Sequence, residues 1–195
     1  AGSVSCMPPA FDTANYPDAE TARASYVEQA QRLAELGVDV IALEMIQDAE
    51  HGGWALDAAT ETGLPVWLGF TCRAEPATNE IVGYDNAGAH LETLLKELLE
   101  REPQLVSIMH SPVSVVPRAL ECVRRYWSGP IGVYPEVGSF DVVKRCRTVR
   151  TSPSEFAHAA RQWIDLGAVL IGGCCGATPS HVAALTDETL QQANI

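Results

Sequence analysis

Cys174 and Cys175 stand side by side in the run Ile171-Gly172-Gly173-Cys174-Cys175-Gly176, with three glycines around them. Paired thiolates are soft metal ligands, and zinc is the ion they most often hold. Neighbouring side chains on a regular strand point to opposite faces. Both sulfurs therefore reach one ion only where the backbone leaves strand geometry, which glycine permits. Ala168-Val169-Leu170-Ile171 reads as a buried strand before the pair, and Thr178-Pro179-Ser180-His181 as a helix start after it. The thiols thus sit between the end of a strand and the start of a helix, where parallel α/β enzymes keep their chemistry. Two other readings stand beside the metal site. Cysteine is often a small buried hydrophobe, and a vicinal disulfide would close a strained ring.

Other reactive types fall at similar places. Glu44 ends the apolar run Val40-Ile41-Ala42-Leu43, where a carboxylate can pair with an ammonium group. The competing reading is a solvated charge at the start of the next helix. His110 follows Leu105-Val106-Ser107-Ile108-Met109, and Glu136 follows Tyr134-Pro135. Cys72, after a strand, is either a spare ligand or a buried small residue. Tyr134 and Trp67 read as packing residues rather than a cage for a cation, although aromatic faces attract cations. His51, His90, His158 and His181 fall in helical or helix-start stretches and read as structural or surface residues.

The elements that would position these groups alternate with a period of roughly 30 residues, the size of a βα unit. Strand-like stretches cover residues 2–5, 38–43, 65–71, 105–109, 131–134 and 169–171. Helical periodicity covers residues 19–36, 49–62, 87–101, 117–126 and 154–166, with a further helix from Pro179. Strict alternation implies a parallel sheet with helices, an α/β fold. Six units suit either an open doubly wound sheet or six-eighths of a (β/α)8 barrel. No Gly-x-Gly-x-x-Gly turn follows the first strand, so a dinucleotide fold has little support.

With 195 residues, 47% hydrophobic and 19% charged, the chain can bury one sizeable core. A net charge of -12 argues against nucleic acid and anionic membranes as partners. No apolar run is long enough to span a bilayer, and the first residues do not read as a signal peptide. The six cysteines are scattered rather than spaced as a disulfide framework, so a cytoplasmic location is expected.

Taken in order, several blocks resemble the homocysteine S-methyltransferase family of zinc-dependent barrels. They are Gly37-Val38-Asp39, Leu43-Glu44, Pro65-Val66-Trp67-Leu68, Val133-Tyr134-Pro135, Ser152-Pro153, Gly167-Ala168 and the Gly172-Gly173-Cys174-Cys175 block with Thr178-Pro179-Ser180-His181. The resemblance implies that residues 1–195 form a single (β/α)8 TIM-barrel-type domain covering strands three to eight, without the first two βα units. It implies that Cys174 and Cys175 bind Zn2+. The family's third ligand, a cysteine in an Asn-Cys context, aligns with His110 in Met109-His110-Ser111, so a His110, Cys174, Cys175 set is expected. Glu44 is expected to hold the amino group of the substrate. Glu136 stands where the family pattern has Asn, and is expected either to meet a cationic donor or to make a supporting contact.

The expected function is zinc-dependent S-methyl transfer from a sulfonium or ammonium donor to the thiol of homocysteine, giving methionine. Two alternatives are a non-catalytic metal-binding or scaffold relative, and a barrel enzyme holding phosphate on the Gly172-Gly173 turn. The absence of Lys and Arg near that turn counts against the second. The partners implied are a small thiol amino acid and a methyl donor. Open barrel edges would favour a homo-oligomer or a complementing N-terminal segment.

Overall fold

The computed structural model describes residues 1–141 and 146–190. Six parallel strands lie side by side in chain order: β1 (Gly2–Ser5), β2 (Ile41–Ile46), β3 (Val66–Ala74), β5 (Leu105–Pro112), β6 (Ile131–Glu136) and β9 (Ala168–Ile171). Between β3 and β5 a short strand, β4 (Ile81–Gly83), folds back antiparallel onto β3. After β6, β7 (Gly138–Asp141) and β8 (Cys146–Val149) make a separate two-stranded ribbon. The helices are α1 (Ala19–Glu35), α2 (Ala49–Thr60), α3 (Leu91–Leu98), α4 (Val116–Tyr126), α5 (Pro153–Asp165) and α6 (Pro179–Leu190).

Strand register sorts the side chains into two faces. Val4, Leu43, Leu68, Val106 and Ile131 align across the first five main strands and are all buried, as are Phe70, Ile108 and Val133 one step further along. They join Leu95 and Leu98 of α3, Leu120 and Val123 of α4, and Phe156 and Trp163 of α5 in one apolar core. The other face carries small and polar groups: Ser3, Ser5, Ala42, Glu44, Gly69, Thr71, Ser107, Gly132 and Tyr134. Helices thus cover one face only, and strand order never reverses. A doubly wound sheet buries both faces and reverses at a switch point. The architecture is therefore a curved run of barrel-type βα units, with the small and polar face as the barrel interior.

Local chemistry accounts for the element ends. Asp18, Asp48 and Ser152 cap α1, α2 and α5 by accepting backbone N–H bonds, and Ser152 with Glu155 forms a full capping box. Gly37, Gly63 and Gly167 stand just past helix ends at positive φ. Several element bounds differ from the sequence expectations. The second strand runs from Ile41 to Ile46 rather than over residues 38–43, because the chain first climbs from Gly37 before it pairs. The helix expected over residues 87–101 is α3 followed by a 3-10 turn, Leu99–Arg101. The β4 hairpin and the β7–β8 ribbon were not anticipated, since strands this short carry little periodicity.

Cys6, Cys72, Cys122, Cys174 and Cys175 are free thiols. The side chain of Cys146 lies outside the described residues. Among those residues no helix is long and apolar enough to cross a membrane.

Candidate metal centre

β9 stops at Ile171, and the glycine-cysteine turn that follows is sewn onto the end of β6. Gly172 N donates to Val133 O (2.9 Å) and Cys174 N to Pro135 O (3.0 Å), while Cys175 O accepts from Val137 N (2.9 Å) and Gly138 N (3.2 Å). Gly176 closes the turn at φ +84, and a Cβ there would lie 2.8 Å from Gly138 N. Backbone freedom at the turn brings both sulfurs to one side, 4.0 Å apart. The Gly172 and Cys174 amides are consumed by β6, which removes them from any phosphate cradle.

His110 arrives from β5 by a different device. On an unbroken strand it would point opposite to Met109, whose sulfur accepts from Met45 N on the interior face (3.4 Å). Instead, His110 adopts φ +44, and the β5–β6 register breaks between Met109 and Pro112. A non-glycine residue in this region costs about 1–3 kcal/mol and persists where surrounding structure enforces it. Thr71 Oγ1 donates to the His110 carbonyl (3.2 Å) and helps hold the kink. As a result, His110 Nδ1 lies 3.5 Å from Cys174 Sγ.

The ligand atoms of His110, Cys174 and Cys175 all lie within 4.8 Å of one another, and all three residues are half-buried. A tetrahedral zinc with Zn–S near 2.3 Å and Zn–N near 2.0 Å would place its sulfurs about 3.8 Å apart, and sulfur and nitrogen about 3.5 Å apart. The observed 4.0 Å between the sulfurs and 3.5 Å between Cys174 Sγ and His110 Nδ1 are near those values, and three protein ligands would leave a fourth position open. Burial, then the neighbouring Cys175, pushes the Cys174 thiol up to about 12. A thiol so disposed ionises at neutral pH only against a strong local cation.

The expected carboxylates also lie near the cluster. Glu44 is not beyond its strand, as the sequence suggested, but inside β2 on the interior face, so the reading as an exposed helix-start charge is corrected. The Glu44 Oε2 accepts from Ser3 Oγ at 2.5 Å. Met45, next to it, repeats the device of His110, with φ +61 and a register break against β3. Glu136, at the end of β6, accepts from the Tyr84 hydroxyl at 3.0 Å. Among the described residues neither carboxylate has a Lys, Arg or His partner within 4 Å.

Tyr84 carried no sequence signal. It comes from the loop after β4, and its ring stands 5.2 Å from that of His110, tilted by 56°. Burial and the Glu136 carboxylate push its hydroxyl up to about 12, with Arg150 acting the other way. The loop is anchored by the fully buried Gln47, whose amide donates to Asp85 (3.1 Å) and accepts from Asp85 N (2.5 Å). A Gly-Tyr-Asp-Asn stretch after a short strand is a plain turn signal, and only the pairing of β4 with β3 carries it over the site.

The remaining expectations resolve as structural residues. Cys72 is buried away from the cluster, facing Ser111 Oγ at 3.4 Å, with burial raising its thiol to about 12. His51 is buried, stacked on Tyr16 with 3.7 Å between ring centres and bonded to the Tyr26 hydroxyl at 3.1 Å. His181 is buried and ties the start of α6 to Thr151 O (3.0 Å).

Comparison with known proteins identifies the family and the fold. The model of the family described as homocysteine S-methyltransferase matches residues 1–189. Among curated relatives, selenocysteine methyltransferase from Astragalus bisulcatus is 25% identical over 181 residues, covering 88% of this chain and 51% of the relative. Homocysteine S-methyltransferase 2 from Zea mays is 28% identical over 160 residues, covering 80% and 45%. In fold, the chain is similar to the apo form of the Escherichia coli homocysteine methyltransferase MmuM, with a TM-score of 0.70 and 21% identity over 95% of this chain and 61% of that one. MmuM has also been solved in a metallated form. The chain spans about half the length of the curated relatives it matches.

Proposed function

The chain belongs to the homocysteine S-methyltransferase family, and from that premise we propose that it uses a zinc centre to methylate the thiol of homocysteine. The observation that carries the reading is the gathering of His110, Cys174 and Cys175, whose ligand atoms lie within 4.8 Å of one another and would leave one position of a tetrahedral ion free. Residues 1–195 are read as one barrel-type domain. Zinc held by those residues supplies the Lewis acidity that keeps a substrate thiol in its nucleophilic thiolate form at neutral pH.

Each neighbouring residue has a part. Among the described residues the neutral Ser3 hydroxyl donates to Glu44, which offers its charge to the α-ammonium group of the amino acid. On the other side of the cluster, the Tyr84 ring and the Glu136 carboxylate form an aromatic and anionic corner beside His110. That corner suits a sulfonium or quaternary ammonium donor. In the transfer, a new S–CH3 bond forms as the donor's CH3–S or CH3–N bond breaks. The bonding pair leaves with the donor heteroatom, which becomes neutral. No proton moves in that step, so positioning and desolvation are what the protein must supply.

The test is zinc content of the purified chain together with methionine formation from homocysteine and S-methylmethionine, S-adenosylmethionine or betaine. About one zinc per chain and thiol-dependent donor consumption support the reading. A zinc-free chain after chelator-free purification, or zinc without thiol-dependent turnover, overturns it.

A further inference from the structure

Gln47 and Asp48 make up the turn between β2 and α2. Asp48 caps the helix. Gln47 belongs to neither element, yet it is fully buried. A carboxamide in the interior costs stability unless its polar atoms find partners, and an apolar side chain would fill the space without that demand. What Gln47 meets there is the loop that carries Tyr84. Its Nε2 donates to Asp85 Oδ2 (3.1 Å), its Oε1 accepts from Asp85 N (2.5 Å), and its backbone carbonyl accepts from Asn86 Nδ2 (3.3 Å). The loop also rests directly on it: a Cβ on Gly83 would lie 3.0 Å from Gln47 Cβ and 3.1 Å from Gln47 O.

Tyr84 is held at both ends of its backbone. Its own carbonyl accepts from Arg73 Nε of β3 at 3.0 Å, and Arg73 is paired in turn with Glu75 at 3.0 Å. The next residue, Asp85, is the one that Gln47 engages through both its amide and its carboxylate. With the backbone so fixed, the Tyr84 ring lies 5.2 Å from the His110 ring and its hydroxyl donates to Glu136 at 3.0 Å. An unbroken chain of contacts therefore runs from the end of β2, through Gln47 and the loop, to His110 on β5 and Glu136 on β6.

We propose that Gln47 is a positioning residue for the methyl donor: by pairing with Asp85 and Asn86 it fixes the loop so that Tyr84 keeps its ring beside His110 and its hydroxyl on Glu136. This rests on the reading of Tyr84 and Glu136 as the donor corner given above. A displacement of about 1 Å at a positioning group is enough to spoil its action, so a buried anchor one residue from Tyr84 bears directly on donor recognition. The pairing is also directional. The carboxamide offers one donor and one acceptor to the acceptor and donor of Asp85, a match that Gln47→Glu breaks by setting two carboxylates face to face.

The experiment is calorimetric titration of the chain, with zinc supplied, by S-methylmethionine, S-adenosylmethionine and betaine, and separately by L-homocysteine. Zinc content and thermal midpoint are measured on each variant. Tyr84→Leu, Gln47→Glu and Asp85→Ala are compared with the parent; the last removes one bond to Gln47 from the half-buried loop side and spares the interior. The double variant Gln47→Glu with Asp85→Asn exchanges donor and acceptor and restores the match. Gln47→Glu and Asp85→Ala are expected to weaken the best-bound donor by about fivefold or more, with homocysteine within about twofold and zinc content unchanged. The double variant should recover donor binding, and Gln47→Glu should add nothing to Tyr84→Leu. A parent that binds none of the donors, or a Tyr84→Leu chain that binds them as the parent does, overturns the donor corner and this proposal with it. Donor binding lost in Tyr84→Leu but kept in both Gln47→Glu and Asp85→Ala leaves the corner standing and overturns the role of Gln47. Equal weakening of donor and homocysteine, loss of zinc, or an undiminished effect on the Tyr84→Leu chain would mark Gln47 as structural support and also overturn it.

Discussion

Cys174 Sγ and His110 Nδ1 stand 3.5 Å apart although 64 positions separate them in the chain. Their approach depends on two unrelated departures from strand geometry, the glycine turn after β9 and the positive φ of His110 on β5. If that approach makes a metal site, His110→Ala should reduce zinc content several-fold at equal protein concentration, and His110→Cys should restore it, since both imidazole and thiolate suit zinc. Atomic emission after dialysis against free zinc reads the result. Full zinc occupancy in His110→Ala would remove His110 from the ligand set.

Glu44→Gln keeps the shape and the Ser3 contact but removes the charge. A charge-assisted contact is worth about 1.5–3 kcal/mol, so KM for homocysteine should rise about tenfold to a hundredfold with zinc content unchanged. Unaltered KM would assign the carboxylate another task.

Tyr84 and Glu136 act on the donor side. Tyr84→Leu removes both the ring and the hydroxyl held by Glu136 at 3.0 Å. A cation–π contact is worth about 0.5–2 kcal/mol, so the KM for a cationic donor should rise between twofold and thirtyfold, while that for homocysteine stays within twofold. Tyr84→Phe should be milder. The opposite pattern, with the thiol affected and the donor not, would reverse the assignment.

Gly176→Ala tests the cysteine turn. Alanine there meets both a φ of +84 and backbone 2.8 Å away at Gly138. The strain, about 1–3 kcal/mol, must be relieved by moving the turn. Zinc content should fall more than the denaturation midpoint of the zinc-free chain, because the site depends on sub-ångström placement while the core does not include the turn. Zinc binding unchanged in this variant would show that the turn tolerates displacement.

The buried thiol of Cys72 predicts a pH dependence of stability. It is raised from 9.0 to about 12 by burial, with Cys122 adding to the shift and Ser111 opposing it. The unfolded chain therefore loses this proton near pH 9 while the folded chain keeps it. Stability is whole below pH 9 and falls as pH climbs toward 12, by roughly 1.4 kcal/mol per unit for this thiol. Urea unfolding of the zinc-free chain at pH 8 and pH 10.5 should show a shallower loss in Cys72→Ala than in the parent. Equal losses would mean that Cys72 ionises in the folded state.

The sequence by itself determined the alternation of strands and helices and the placing of Cys174 and Cys175 after a strand end. These follow from local periodicity and from glycine's conformational range, which are properties of neighbouring residues. The gathering of His110 with Cys174 and Cys175 was expected through resemblance, but the means was not legible, because φ +44 reverses the side chain that strict alternation would assign. Glu44 was legible as a residue and misplaced by position, since β2 runs on to Ile46. Tyr84 was decided only by tertiary structure. It depends on a three-residue strand pairing back onto β3. Contacts of that kind arise from strand register and sheet curvature between residues far apart in the chain, and no local pattern encodes them.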